Sequence, residues 1–151
     1  MSALLEKLVV RRIRVEDAPA IGRIQSAITK SPVKTDFRKI IEEQVRKEDE
    51  EASFVAELDG NVAGYMISYL VYAGFGLDKS AWIATMGVEP KFMGQGIGRK
   101  LAGEIFAFYR ERGIYDILTS VRWDSADLMS FFKTSGFELS IFINLKKRLE
   151  S

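Results

Sequence analysis

From Val88 to Arg99 the chain reads Val-Glu-Pro-Lys-Phe-Met-Gly-Gln-Gly-Ile-Gly-Arg, with three glycines at alternate positions just before an amphipathic stretch. Glycine at Gly94, Gly96 and Gly98 lets main-chain N–H groups approach a ligand without interference from a Cβ. A helix that opens there adds orphan amide donors and the positive end of its dipole, a natural seat for phosphate or pyrophosphate. Arg99, Lys100 and Lys91 bring cationic side chains close by. Two other phosphate loops fail on spacing. The sixth position counted from Gly94 is Arg99, where Gly-x-x-x-x-Gly-Lys-Ser/Thr needs glycine, and the same Arg99 breaks Gly-x-Gly-x-x-Gly. A plain glycine-rich turn between a strand and a helix is the bland alternative.

The chain has no cysteine and no histidine. Thiol nucleophiles, disulfides, imidazole triads and the usual metal clusters are therefore excluded by composition. Acid–base work falls to carboxylates, Tyr, Lys, Ser, water or the main chain. The 22 Lys+Arg against 21 Asp+Glu give a net charge of +1, without the basic excess that nucleic-acid binding needs. The 151 residues fit one domain spanning the whole chain, with enough apolar residues for a full core. No stretch reads as a membrane span or a secretory leader, so a cytoplasmic protein is expected.

These residues need elements to place them. Leu8 to Arg14 is β-branched and reads as a first strand. Asp17 is a candidate N-cap for a helix carrying Ile21, Ile24, Ala27 and Ile28. A second helix starts near Asp36 and aligns Phe37, Ile40, Ile41 and Val45. Ser53 to Leu58 and Val62 to Tyr72 are strands joined by Asp59-Gly60, a hairpin signal. Trp82 to Val88 is a fourth strand, and Ile97, Leu101, Ile105 and Phe108 mark the seam of a third helix ending near Gly113. Asp116 to Val121 is a fifth strand, Asp124 or Ser125 caps a fourth helix, and Phe137 to Leu145 is expected as a last strand before the basic run Lys146-Lys147-Arg148.

The glycine loop after a Val-x-Pro strand end, the element order, and the segment Val121 to Phe137 together resemble the GNAT superfamily of N-acetyltransferases. That segment is similar to the family's Asn-x-x-Ala/Leu-x-x-Leu-Tyr-x-x-x-Gly-Phe, with Ser125 at the Asn position and Phe132 at the Tyr position. The resemblance implies an α/β (α+β) GNAT fold: a central mixed, mostly antiparallel sheet, splayed between strands 4 and 5 and flanked by about four helices. It implies acetyl-CoA as acyl donor, with no metal. Unpaired main-chain groups of Met86, Gly87 and Val88 would hold the pantetheine arm. Gly94, Gln95, Gly96, Ile97, Gly98 and Arg99 would hold the pyrophosphate, and Ser125 would lie along the cofactor or merely cap its helix.

The sequence departs from the family at Met93, where Arg or Gln is usual, at Ser125, and at Phe132, where many relatives place a tyrosine that protonates the leaving thiolate. Tyr109 and Tyr115 are poor substitutes, Glu89 is a weak candidate base, and a water relay serves as well, so no catalytic residue is assigned. The expected activity is transfer of acetyl from acetyl-CoA to a primary amine of a protein, peptide or small molecule within a ternary complex. The alternative is an acyl-CoA-binding regulatory domain with little turnover. The run Glu48 to Glu51 could attract a cationic amine or simply be a solvated loop. Tyr65, Tyr69, Tyr72 and Phe75 could line an acceptor pocket, or serve as core or as homodimer contacts.

Overall fold

The computed structural model describes residues 3–74 and 77–151, and the chain divides into two compact units, Met1–Thr119 and Ser120–Ser151. The first unit is built on a five-stranded sheet in the order β1-β2-β3-β4-β5. Its strands are β1 (Leu8–Arg12), β2 (Phe54–Leu58), β3 (Asn61–Gly74), β4 (Leu77–Val88) and β5 (Ile117–Thr119). The first four pair antiparallel, whereas β5 runs parallel to β4. The two residues between Leu58 and Asn61 both take positive φ, 52° at Asp59 and 81° at Gly60. That is the geometry a two-residue turn needs to match the twist of its strands.

Helices cover both faces. After the short α1 (Ala3–Lys7), α2 (Ala18–Thr29) and α3 (Phe37–Arg46) pack on one face, where Ile21, Ile24, Phe37, Ile41, Val55, Tyr65 and Ile67 form a buried cluster. The other face carries α4 (Ile97–Glu111), with Ile97, Leu101 and Ile105 buried as its 3.6-residue periodicity requires. A Cβ on Gly64 would lie 3.0 Å from Ile97 and 3.4 Å from Leu101, so the missing side chain lets α4 lie close on β3. A polar knot pins α4 from beneath. Tyr109 Oη is 2.8 Å from Ser68 Oγ, Gln44 Nε2 donates to the Ser68 carbonyl at 2.7 Å, and Ser53 Oγ donates to Gln44 Oε1 at 2.8 Å. All four residues are buried, and no buried side-chain polar atom among the described residues lacks a partner.

The helix expected to start near Asp36 is α3, and Asp36 caps it, accepting from Lys39 N at 3.1 Å. Asp17 does not cap α2. Its carboxylate is taken by Arg11 at 2.7 and 2.8 Å and by the amide of Arg14 at 2.8 Å, tying β1 to the chain that leads into α2. The bidentate charged partner and the Arg14 amide between them engage both carboxylate oxygens.

The second unit contains α5 (Ala126–Thr134) and no strand. Neither expected cap serves α5: Ser125 sits at the N-cap position without a side-chain bond, and Asp124 pairs with Arg122 at 2.8 Å. Phe132 is buried, its ring edge-on to Phe131 and Phe137 at centroid distances of 5.1 and 5.0 Å. The strand expected over Phe137 to Leu145 does not form. Ser140 Oγ instead binds both the amide and the carbonyl of Phe142, at 3.0 and 3.1 Å, and Asn144 donates to Ser120 Oγ. The Ser140 bonds take up the amide and carbonyl of Phe142, groups that a sheet ladder would use.

Candidate functional site

β4 is long and only partly covered. β5 pairs with it solely over Ala81–Ile83, which leaves residues 84–88 without a strand on that side among the described residues. Which main-chain groups face the gap follows from the ladder on the other side. Glu89 N donates to Ala63 O on β3 at 2.8 Å, so by alternation Gly87 and Thr85 also point their peptide groups to β3. Met86 and Val88 point theirs to the open edge. Earlier in β4 the parity is reversed, since Ala81 N donates to Asp116 O on the β5 side. Ala84 makes the switch: Ile67 faces Thr85 and Ser68 faces Ile83, so Ala84 is an extra residue, a bulge that re-aims the strand where β5 leaves it.

Gly87 therefore plays a different part from its neighbours. A Cβ there would fall 2.8 Å from Tyr65 Cε1 and 3.0 Å from Ile28 Cδ1. Its bareness makes room for the Tyr65 ring, which also packs edge-on to Phe37 at 5.9 Å. Tyr65 Oη lies 3.5 Å from Thr85 Oγ1, and burial pushes the phenol pKa up, partly offset by that contact. Nothing in the sequence singled out this hydroxyl pair, because only the strand register brings β3 and β4 positions together.

Past Val88 the chain turns through Pro90–Phe92 into the glycine loop. Gly94 and Gly96 have φ of +78° and +94°, left-handed conformations that L side chains avoid. A Cβ at Gly94 would meet nothing within 4 Å, and one at Gly96 would only touch Leu5 of α1 at 3.4 Å. Gly94, Gln95, Gly96 and Arg99 are exposed, while Ile97 and Gly98 are buried as the helix begins. Gly96 is the N-cap and offers no side chain, so the first-turn amides of the 15-residue α4 keep their donor capacity. The loop thus presents unoccupied space, amide donors and the positive end of a dipole at the end of the strand whose edge is open. These residues suit a pyrophosphate followed by an extended chain bearing amides.

Ser125 belongs to the second unit, at the start of α5. Met93 is half-exposed and follows the Pro90–Phe92 turn. Glu89 is engaged by Lys91 at 3.5 Å, Tyr109 is locked in the polar knot, and Tyr115 is exposed. Of the aromatic cluster, Tyr65 is buried, Tyr69 and Tyr72 are exposed with Tyr72 on the opposite face by alternation, and Phe75 lies outside the described residues. No helix among the described residues is long and apolar enough to cross a membrane.

The profile of the Acetyltransferase (GNAT) family matches residues 18–137. The chain belongs to the GNAT acetyltransferase family. A search of curated proteins returns no match. Among solved structures it is similar to an aminoglycoside acetyltransferase, meta-AAC0020, from an uncultured soil metagenomic sample, in complex with trehalose. That likeness is at 19% identity over 96% of this chain and 98% of the other, with TM-score 0.76. It is similar to AAC(6')-Iy in complex with a bisubstrate analog, CoA-S-monomethyl-acetylneamine, at 17% identity over 94% and 99%, with TM-score 0.75. A transcriptional regulator from Bacillus halodurans C-125 scores 0.77 at 17% identity over 94% and 99%. Such distant likeness shows the GNAT fold, and the fold alone does not select an acceptor.

Proposed function

We propose that this GNAT protein transfers an acetyl group from acetyl-CoA to a primary amine, directly, within a ternary complex. The observation that carries this reading is the continuity of two binding elements. The open edge of β4 at Met86 and Val88 runs straight into the amide-lined loop from Gly94 to Arg99. In this reading the peptide groups of Met86 and Val88 bind the pantetheine arm as an added strand would, and the α4 amides with Arg99 bind the pyrophosphate. When bound, acetyl-CoA supplies an acetyl thioester, an acyl group already activated toward amines. A main-chain N–H on the open edge polarises the carbonyl oxygen and bears the charge that develops there. With no cysteine to carry an acyl group and no histidine to activate a serine, the usual acyl-enzyme arrangements are absent, which favours direct transfer.

Phe132 favours a second reading, an acyl-CoA-binding regulatory domain, because a phenyl ring cannot protonate a thiolate. The loss is tolerable, since a thiol of pKa about 8.5 is a good leaving group without a dedicated acid. Thiol release from acetyl-CoA, followed across a panel of aminoglycosides, polyamines and peptide N-termini, decides between the two. Amine-dependent release supports the transferase. Tight acetyl-CoA binding with no release for any amine supports the regulatory domain.

A further inference from the structure

Gly96 is the N-cap of α4, and on the flank where a Cβ would stand a single described residue approaches it. Both atoms within 4 Å of that position are methyl carbons of Leu5, at 3.4 and 3.7 Å. Leu5 stands at the middle of α1 (Ala3–Lys7), which passes into β1 without a linker: Lys7 ends the one and Leu8 begins the other. Leu8 is already in register with Leu58 of β2, so Leu5 is mounted directly on the sheet. A five-residue helix does not hold itself together. Nucleating a turn fixes several dihedrals for one hydrogen bond, and helices shorter than about 12 residues are marginal in water. The residues of α1 that leave solvent in part are Leu4 and Leu5, and α1 owes its order to what they touch.

The glycine loop has the matching need. Residues 93–96 are all exposed, and Gly94 and Gly96 have no side chain to anchor the left-handed turns they make. Amides bind an anion well only if they already point at it, because ordering a loose loop subtracts from affinity. We propose that Leu5 is a positioning residue of the acetyl-CoA site: it braces Gly96, so that the order of α1 and the occupancy of the loop stabilise each other. This inference rests on the reading of Gly94 to Arg99 as the pyrophosphate seat. The contact is apolar and brings neither donor nor charge, so it acts on where the amides at the start of α4 point and not on the ligand itself. Coupling of this kind is reciprocal: if α1 improves acetyl-CoA binding, acetyl-CoA orders α1 by the same factor.

Two measurements on the full chain test this, with acetyl-CoA as the probe and well below the unfolding transition. In calorimetry Leu5→Ala should weaken acetyl-CoA binding about 5- to 10-fold. Alanine is the better helix former, so such a loss does not come from helix propensity. Leu5→Met keeps the reach of the side chain and should bind within about twofold of the wild type. In hydrogen exchange, acetyl-CoA should slow the amides of residues 3–8 in the wild type and leave them unchanged in Leu5→Ala. A wild type that binds acetyl-CoA while Leu5→Ala binds it equally well, or while exchange in α1 ignores it, overturns the brace and leaves the loop reading standing. A folded wild type that does not bind acetyl-CoA overturns both.

Discussion

Two glycines of the site do different work, and their substitutions separate binding from folding. Gly96 is exposed at φ +94° with only Leu5 nearby, so a larger side chain costs backbone strain of about 1–2 kcal/mol but no core contact. Gly96→Glu also puts a carboxylate where the pyrophosphate would bind. Calorimetry should find acetyl-CoA binding abolished in a protein that still unfolds cooperatively, and unchanged affinity would remove the loop from the site. Gly87→Ala should do the converse. Its Cβ would lie 2.8 Å from Tyr65 and 3.0 Å from Ile28, so overpacking should cost about 1–3 kcal/mol in denaturant unfolding.

At the scale of the element, the bulge at Ala84 decides which half of β4 is used. Met86 N–H faces the open edge and makes no bond within the sheet, so Met86→Pro removes a donor without breaking the ladder. The fold should survive while acetyl-CoA binds about 3- to 10-fold more weakly, the worth of one hydrogen bond. Equal affinity would show that the arm does not use this edge. The opposite face of the sheet carries a pH-linked tie. Burial raises the Tyr109 phenol pKa, with the bond to Ser68 opposing, so the folded state holds that proton more tightly than the unfolded chain. Its contribution is present below about pH 10, where the unfolded phenol ionises, and is lost as pH rises beyond. Tyr109→Phe should lower stability by about 1–2 kcal/mol at neutral pH and flatten the alkaline fall in melting temperature.

For the whole molecule, direct transfer requires acetyl-CoA and amine to be bound together. Initial rates with both substrates varied should give intersecting lines, and parallel lines would demand an acyl-enzyme.

The sequence by itself determined most elements, the Gly94 to Arg99 loop and the turn at Asp59-Gly60, because spacing of glycine and of apolar residues dictates these locally, and the fold followed from the family resemblance those features carry. It also bounded the chemistry, since a chain without cysteine or histidine is confined to other groups. What it left open was everything that depends on register. Met86, Gly87 and Val88 read alike along the chain, yet one extra residue at Ala84 and the partner at Ala63 send two of their peptide groups outward and one inward. Asp17, Asp124 and Ser125 all read as caps, but in the structure Arg11 and Arg122 engage the two aspartates and the serine makes no side-chain cap bond. Phe137 to Leu145 carries a strand pattern without being a strand in the single chain. Alternation specifies a willingness to pair, and only a neighbour at the right distance turns that into a strand.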